Sequence, residues 1–288
     1  MENGESGCIE ERCLLDVIKF SVLMSVYKNE KPDYLREALE SVVQQTVMPN
    51  EIVIVKDGLL TEELNAVINE YSEKYPALFK IVAFEKNRGL GLALKDGVLA
   101  CSYEYIARMD TDDICKPNRF EKQIKYLEKN PRIALLGTWI KEFSKDKNKP
   151  DTITKLPCVH QEIVRFAKSR NPFRHMTVIF NKQAVLDSGN YRDFLWFEDY
   201  DLWVRIMQKG YEVANLSDFL VDVRADSNMF ARRGGIKYLK QDIRFQRLLL
   251  NNGFINIFQY INNVVIRSLV RGLPNSFRVL VYKNLLRR

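Results

Sequence analysis

Between Phe20 and Met109, four short apolar runs alternate with three segments of helical spacing, which predicts an α/β protein built on a largely parallel sheet. Two further observations agree. The apolar runs are rich in β-branched residues and too short to be helices. The runs also end in polar loops carrying Asp, Asn or Gly, the places where ligands collect in such sheets.

The first run, Phe20-Ser-Val-Leu-Met-Ser-Val26, predicts a strand buried on both faces. Pro32 then opens a helix whose Leu35, Ala38, Leu39, Val42 and Val43 recur at helical spacing, and Pro49 closes that segment. Ile52-Val-Ile-Val55 is the second strand, ending in Lys56-Asp57-Gly58, and a helix through Leu64, Val67 and Ile68 leads to a third strand at Ile81–Phe84. Asn87-Arg-Gly89 introduces a helix from about Leu90 to Ala100, and Tyr105-Ile-Ala-Arg-Met109 is the fourth strand. Parallel strands place Tyr27 to Glu30, Asp57-Gly58 and Asp110 to Asp113 along one sheet edge.

Beyond Pro117 the pattern is mixed. It predicts a helix near Phe120–Leu127, a strand near Ile133–Thr138, a polar stretch from Lys141 to Pro150, a strand at Thr177–Phe180 and a helix from Phe197 to Gln208 stopped by Gly210. There is no internal repeat and no low-complexity linker.

The chain has 288 residues, 46% apolar and 28% charged, the composition of a globular enzyme with one large domain and an appendage. The opening residues predict no secretory leader, because Glu2, Glu5, Glu10 and Glu11 interrupt any basic-then-apolar pattern. Five unpaired-looking cysteines with no CxxC spacing fit a reducing compartment, and two histidines are too few for a zinc site built mainly on imidazole and thiolate.

The net charge of +7 is concentrated at one end. From Ile236 to Arg288 there are ten Lys or Arg residues and one acid, so the rest of the chain is close to neutral. Apolar residues recur among these cations at helical spacing, yet Asn256, Gln259, Asn262, Asn263 and Arg267 make the segment too polar to span a bilayer. A basic amphipathic helix lying on an anionic membrane is one reading; helices packed on the body or on a second subunit are the other. A nucleic-acid arm would carry less apolar surface.

Asp110-Thr-Asp-Asp113 projects several carboxylates from a strand end. Such a group repels itself unless a cation is present, and Mg²⁺ or Mn²⁺ shared with a diphosphate would supply one. Alone, it reads equally well as an acidic cap on the helix near Pro117. Ile114 and the lack of a following glycine disfavour an EF-hand, and a haloacid dehalogenase-like phosphotransferase carries its DxD nearer the start of the domain. The second cluster, Glu198-Asp-Tyr-Asp-Leu-Trp203, opens a helix, where the macrodipole favours the anion and aromatic neighbours limit water. That environment suits a general base, although acids in a first helical turn are also ordinary end charges.

Taken together, Tyr27-Lys-Asn-Glu30, Leu39-Glu-Ser-Val-Val-Gln-Gln-Thr46, Asn87-Arg-Gly-Leu-Gly91, Asp110-Thr-Asp-Asp113 and Glu198-Asp-Tyr-Asp-Leu-Trp203 resemble, in order and separation, the family 2 glycosyltransferases over Phe20 to Gly235. The resemblance implies the A-type glycosyltransferase fold, a mostly parallel Rossmann-like sheet flanked by helices. It implies a catalytic domain over residues 1–235, with a nucleotide-sugar half at about 20–115 and an acceptor half at about 116–235; the charge pattern makes 236–288 a basic helical tail. By resemblance, Asp110 and Asp112 hold Mn²⁺ or Mg²⁺ and the nucleotide, Asp113 lies beside the donor sugar, and Tyr27, Glu30, Asp57, Asn87 and Arg88 surround the uracil and ribose. Asp199 is the expected base, with Glu198 beside it, in a single displacement that inverts the anomeric centre. The segment Asn171-Pro-Phe-Arg-His175 borders the acceptor side in relatives, which puts His175 there; Trp203 joins it by its helical spacing from Asp199, and Arg232-Arg233 would clamp a diphosphate or stay solvated.

Two positions depart from the family pattern. Lys56 stands where an aspartate is common, to contact phosphate or face solvent, and Arg224-Ala-Asp-Ser keeps only part of an Arg-x-x-His element. The expectation is a metal-dependent transferase moving a hexose from a nucleotide sugar, UDP foremost, to a polyprenyl-diphosphate-linked saccharide of O-antigen or capsule. It would act in the cytoplasm on the inner membrane face, with no nucleic acid partner and with self-association through the tail open. A soluble acceptor and a catalytically silent sugar-nucleotide module are the alternatives.

Overall fold

The computed structural model describes residues 18–225 and 235–272. Its centre is a nine-stranded sheet of order β3-β2-β1-β4-β8-β6-β9-β5, with β7 paired to β6. The first part runs as expected: β1 (Phe20–Val26), α1 (Pro32–Val43), β2 (Glu51–Lys56), α2 (Glu62–Lys74), β3 (Phe79–Ala83), α3 (Leu90–Ala100) and β4 (Tyr105–Arg108). All four strands are parallel, β1 lying between β2 and β4.

Side chains of these strands alternate between two cores, as the pleat requires. On β1, Phe20, Val22, Met24 and Val26 join Leu35, Leu39 and Leu64 on one face, whereas Leu23 joins Val53, Leu94 and Val98 on the other. Fully burying an aliphatic or aromatic side chain of this kind contributes about 1.5–3 kcal/mol, so the sheet's two-sided cover is its main support. Local signals agree with the packing: Pro32 starts α1, and Thr61 caps α2 by accepting from the Leu64 amide at 3.3 Å.

The second part is more irregular. After β5 (Ile114–Cys115) and α4 (Arg119–Lys129) come β6 (Ile133–Phe143), β7 (Thr152–Thr154), α5 (His160–Ala167), β8 (Ile179–Asn181), α6 (Lys182–Asp187), α7 (Glu198–Gln208) and β9 (Glu212–Arg224). β6 therefore runs into the stretch expected to be a polar loop, and the long β9 has no counterpart in the sequence reading. Its alternation is broken at Asn215, Ser217 and Asp218, and its parallel pairing with β6 shifts register around Thr138 and Trp139. Strand periodicity cannot register a bulged strand whose partner lies some eighty residues upstream.

Two helices complete the described chain, α8 (Gly235–Asn251) and α9 (Ile257–Gly272). α8 is part of the same core as the sheet. Its Phe245 is fully buried and stacks on Phe197 with ring centroids 5.0 Å apart, and Tyr200 meets the same ring at 4.7 Å. α9 is tied down by polar contacts: buried Asp242 of α8 pairs with Arg267 at 2.9 Å and Arg271 at 2.5 Å, and the Asn263 amide donates to the Lys168 carbonyl at 2.8 Å. Part of the positive charge at this end is thus spent on internal pairs. The outward face of α9 is apolar instead, with Phe258 79% and Leu269 68% exposed.

Candidate active site

The carboxyl edge of the parallel strands gathers the expected residues. Asp57 follows β2 and is 4% exposed. Its carboxylate accepts from the Asn87 side chain at 2.9 Å and from the Arg88 and Gly89 amides at 2.7 and 3.0 Å, so it fixes the 87–89 loop against the strand end. Gly58 has φ +92°, and a Cβ there would lie 2.7 Å from the Asn87 amide nitrogen, so glycine is required for this approach. Lys56 is half-buried, and its ammonium donates to Asn65 on α2 at 2.9 Å. Tyr27 is well exposed above this loop edge, and Glu30 accepts from the Thr111 hydroxyl at 2.6 Å.

The Asp110–Asp113 turn joins β4 to β5. Ligand atoms of Asp110, Asp112 and Asp113 lie within 4.8 Å of one another, the first two half-buried and the third buried. Burial, then the charge of Asp112, push the Asp113 carboxyl well above the usual carboxylate range. Three crowded oxygen donors, one of them a buried carboxyl whose anionic form is disfavoured, fit a hard divalent cation.

Arg224, at the end of β9, braces the turn from the far side. Its amide donates to Asp113 at 2.8 Å and its Nε to the Asp112 carbonyl at 3.1 Å, while its guanidinium lies 3.9 Å above the Tyr34 ring and pairs with Glu37. The partial Arg224 motif therefore orders the carboxylate turn.

Glu198 and Asp199 open α7, both half-buried. Asp199 accepts from the Asn171 side chain at 2.7 Å and from the Tyr200 amide at 2.6 Å. Burial, then the charge of Asp199, push Glu198 up to about 7. A Cβ on Gly91, at the start of α3, would meet the Arg192 carbonyl at 2.4 Å and the Glu198 Cβ at 3.3 Å, so the missing side chain lets the nucleotide-side helix touch the loop that delivers Glu198. Trp196 adopts a left-handed φ of 69°, uncommon for an aromatic residue, and stacks on Tyr238 of α8 at 4.9 Å.

One acceptor-side expectation needs correction. Trp203 is fully buried among Phe173, His175, Phe180 and Tyr191 and so packs the core beneath α7; the four-residue spacing from Asp199 does not bring it to the open face. His175, half-buried, bonds to the Tyr191 hydroxyl at 2.8 Å, and burial followed by the nearby Arg108 holds it neutral. Arg232 and Arg233 lie outside the described residues. Asn171 and Arg108 were missed as site residues: the first was read only as part of a motif, the second as one polar letter in an apolar strand.

The model of the family described as Glycosyl transferase family 2 matches residues 21–189. The chain is 43% identical over 267 residues to the amylovoran biosynthesis glycosyltransferase AmsE of Erwinia amylovora, covering 92% of this chain and 98% of that protein. It is 38% identical to the UDP-Gal:alpha-D-GlcNAc-diphosphoundecaprenol beta-1,3-galactosyltransferase of Escherichia coli, covering 95% and 98%. Among solved structures, S. aureus TarS 1-349 with UDP-GlcNAc superimposes with a TM-score of 0.66 at 17% identity, covering 93% of this chain and 76% of that one. The chain spans 46% of the longer TarS structure. The mannosyltransferase PcManGT of Pyrobaculum calidifontis, with GDP-Man and Mn²⁺, gives a TM-score of 0.64 at 15% identity, covering 92% and 73%.

Proposed function

Because the chain belongs to glycosyl transferase family 2 and is a glycosyltransferase, we propose that it moves a hexose from a UDP-sugar, with inversion, to a hydroxyl of a saccharide carried on a polyprenyl diphosphate. The observation that carries this reading is that two carboxylate groups, Asp110-Asp112-Asp113 from a strand end and Glu198-Asp199 from a helix start, lie within electrostatic reach of the same buried Arg108. The name of the E. coli relative supports UDP and a lipid-linked acceptor, and the UDP-GlcNAc complex of TarS supports UDP.

Asp110 and Asp112 would hold Mn²⁺ or Mg²⁺, which when bound offsets the charge growing on the leaving diphosphate. Tyr27, Glu30, Asp57, Asn87 and Arg88 bound the nucleoside, and Asp113 stands by the donor sugar. Asp199, oriented by Asn171, takes the proton of the attacking acceptor hydroxyl. Glu198 sets the local charge beside it. Wild-type protein screened with UDP-, GDP- and dTDP-sugars should hydrolyse or transfer from one UDP-sugar in a Mn²⁺- or Mg²⁺-dependent way; turnover that persists with excess chelator would break the metal assignment.

Peripheral contact with the cytoplasmic face of the membrane belongs to the same reading. No helix among the described residues is long and apolar enough to cross a membrane. Support comes from the outer face of α9, where Phe258, Ile261, Val265 and Leu269 are exposed, followed in the sequence by Arg278, Lys283, Arg287 and Arg288. Phe258→Glu with Leu269→Glu should abolish sedimentation with anionic vesicles and leave activity on a soluble acceptor analogue intact; unchanged sedimentation would refute the contact.

A further inference from the structure

Arg108 lies within electrostatic reach of both carboxylate groups. It ends β4, is 2% exposed, and its guanidinium pairs with Asp110. Its Nε has no hydrogen-bond partner among the described residues, and its Nη1 meets Asp110 as an ion pair without hydrogen-bond geometry. Asp112, Asp113, Asp199 and Tyr191 all lie within its electrostatic reach, and its charge also bears on Glu198 and His175. A buried guanidinium with an unused donor is costly, and an uncharged side chain of similar length would fill the same volume without that cost.

The position also creates a conflict. Asp110 is needed by the divalent cation that the functional reading places on Asp110 and Asp112, yet in this structure it already neutralises Arg108. A guanidinium and a divalent cation crowded onto one half-buried carboxylate repel each other. A cation on Asp110 would weaken that pairing, and the other negative groups within electrostatic reach of Arg108 include Asp199 and Glu198. Its Nε is a donor not committed to the starting arrangement.

We infer that Arg108 is a positioning residue that couples donor loading to the base: it pairs with Asp110 in the empty enzyme and turns toward Glu198 and Asp199 when cation and nucleotide bind. The inference rests on the proposed metal and nucleotide site. It gives the enzyme a reason to bind donor before acceptor, because the carboxylate that receives the acceptor proton is fully oriented only after the donor side is charged.

The first test uses wild-type protein and the arginine Nε–Hε NMR signals, with the Arg108 signal assigned by its loss in Arg108→Lys. Mg²⁺ with UDP should shift that signal, and UDP without a cation should not. The second test titrates Mn²⁺ alone into Arg108→Met and Arg108→Lys. Losing the cation in Arg108→Met should tighten Mn²⁺ binding several-fold, while kcat for transfer falls about 10²-fold and acceptor KM rises. Arg108→Lys, keeping charge without the fork, should lose about tenfold in kcat.

A merely structural role would weaken Mn²⁺ binding and turnover together, and that result overturns the inference. So does a wild-type Arg108 signal that stays fixed while Mg²⁺ and UDP bind. Wild-type protein that binds neither Mn²⁺ nor UDP overturns the functional reading beneath it, a distinct outcome.

Discussion

In the first half of the sheet, Asp57 and Asp110 sit where parallel strands β2 and β4 stop, while in the second half Glu198 and Asp199 begin a helix held by rings from several other elements. Asp57 needs only its own strand and the 87–89 loop, thirty residues on. α7 needs Phe245 and Tyr238 from α8, Tyr191 and Phe173 beneath Trp203, and the Tyr200 hydroxyl donating to the Ala167 carbonyl at 2.7 Å. One group of carboxylates is placed by topology and the other by packing, so the two should fail in different ways.

The largest expected effect is a pair of mirrored losses. Asp112→Ala should abolish Mn²⁺-dependent UDP binding in calorimetry, since the turn then leaves the diphosphate charge poorly offset. Asp199→Asn should keep nucleotide and metal affinity within a few-fold yet lose about 10²–10⁴-fold in kcat, the usual worth of a positioned general base. If Asp199→Asn instead loses UDP affinity, the two halves are not separable in this way. If it turns over at near wild-type rate while Glu198→Gln is dead, the roles within the pair are reversed.

The same division explains how far the sequence could be read. Strands β1, β2 and β4 are continuous apolar runs because helices cover both faces, and the elements joining them are local, so their order and the carboxylates at their ends follow from spacing. β9 and the packing of α8 are long-range facts. β9 hides behind a broken alternation, and Phe245 looks like any apolar residue of a basic amphipathic helix until Phe197 and Tyr200 are placed against it. Trp203 was misread for a related reason: helical spacing tells which residues share a face but not which face meets the core when α7 is buried on most sides. Arg108 was legible in principle, being a cation inside an apolar strand just before a run of acids.

The smallest effect is a pH-dependent change in stability, and it tests whether the helix-start carboxylates are held by packing at a cost. Burial and the Asp199 charge raise Glu198 from an ordinary 4.5 to about 7 in the folded protein. A carboxyl with a raised folded value contributes stability that is full below the unfolded value and is lost as pH rises through the folded one. Above about pH 7 the native state therefore carries a half-buried anion beside a second anion, and removing that charge should help. Glu198→Gln should melt roughly 2–6 °C higher than wild type at pH 8, with the difference gone by about pH 5, where Glu198 is protonated in the native state. In the same variant, kcat should fall less than in Asp199→Asn, because Glu198 shapes the charge around the base without receiving the acceptor proton. A melting difference of the same size at both pH values would mean that the substitution acts through packing alone and that the strain assigned to paired carboxylates at the start of α7 is absent.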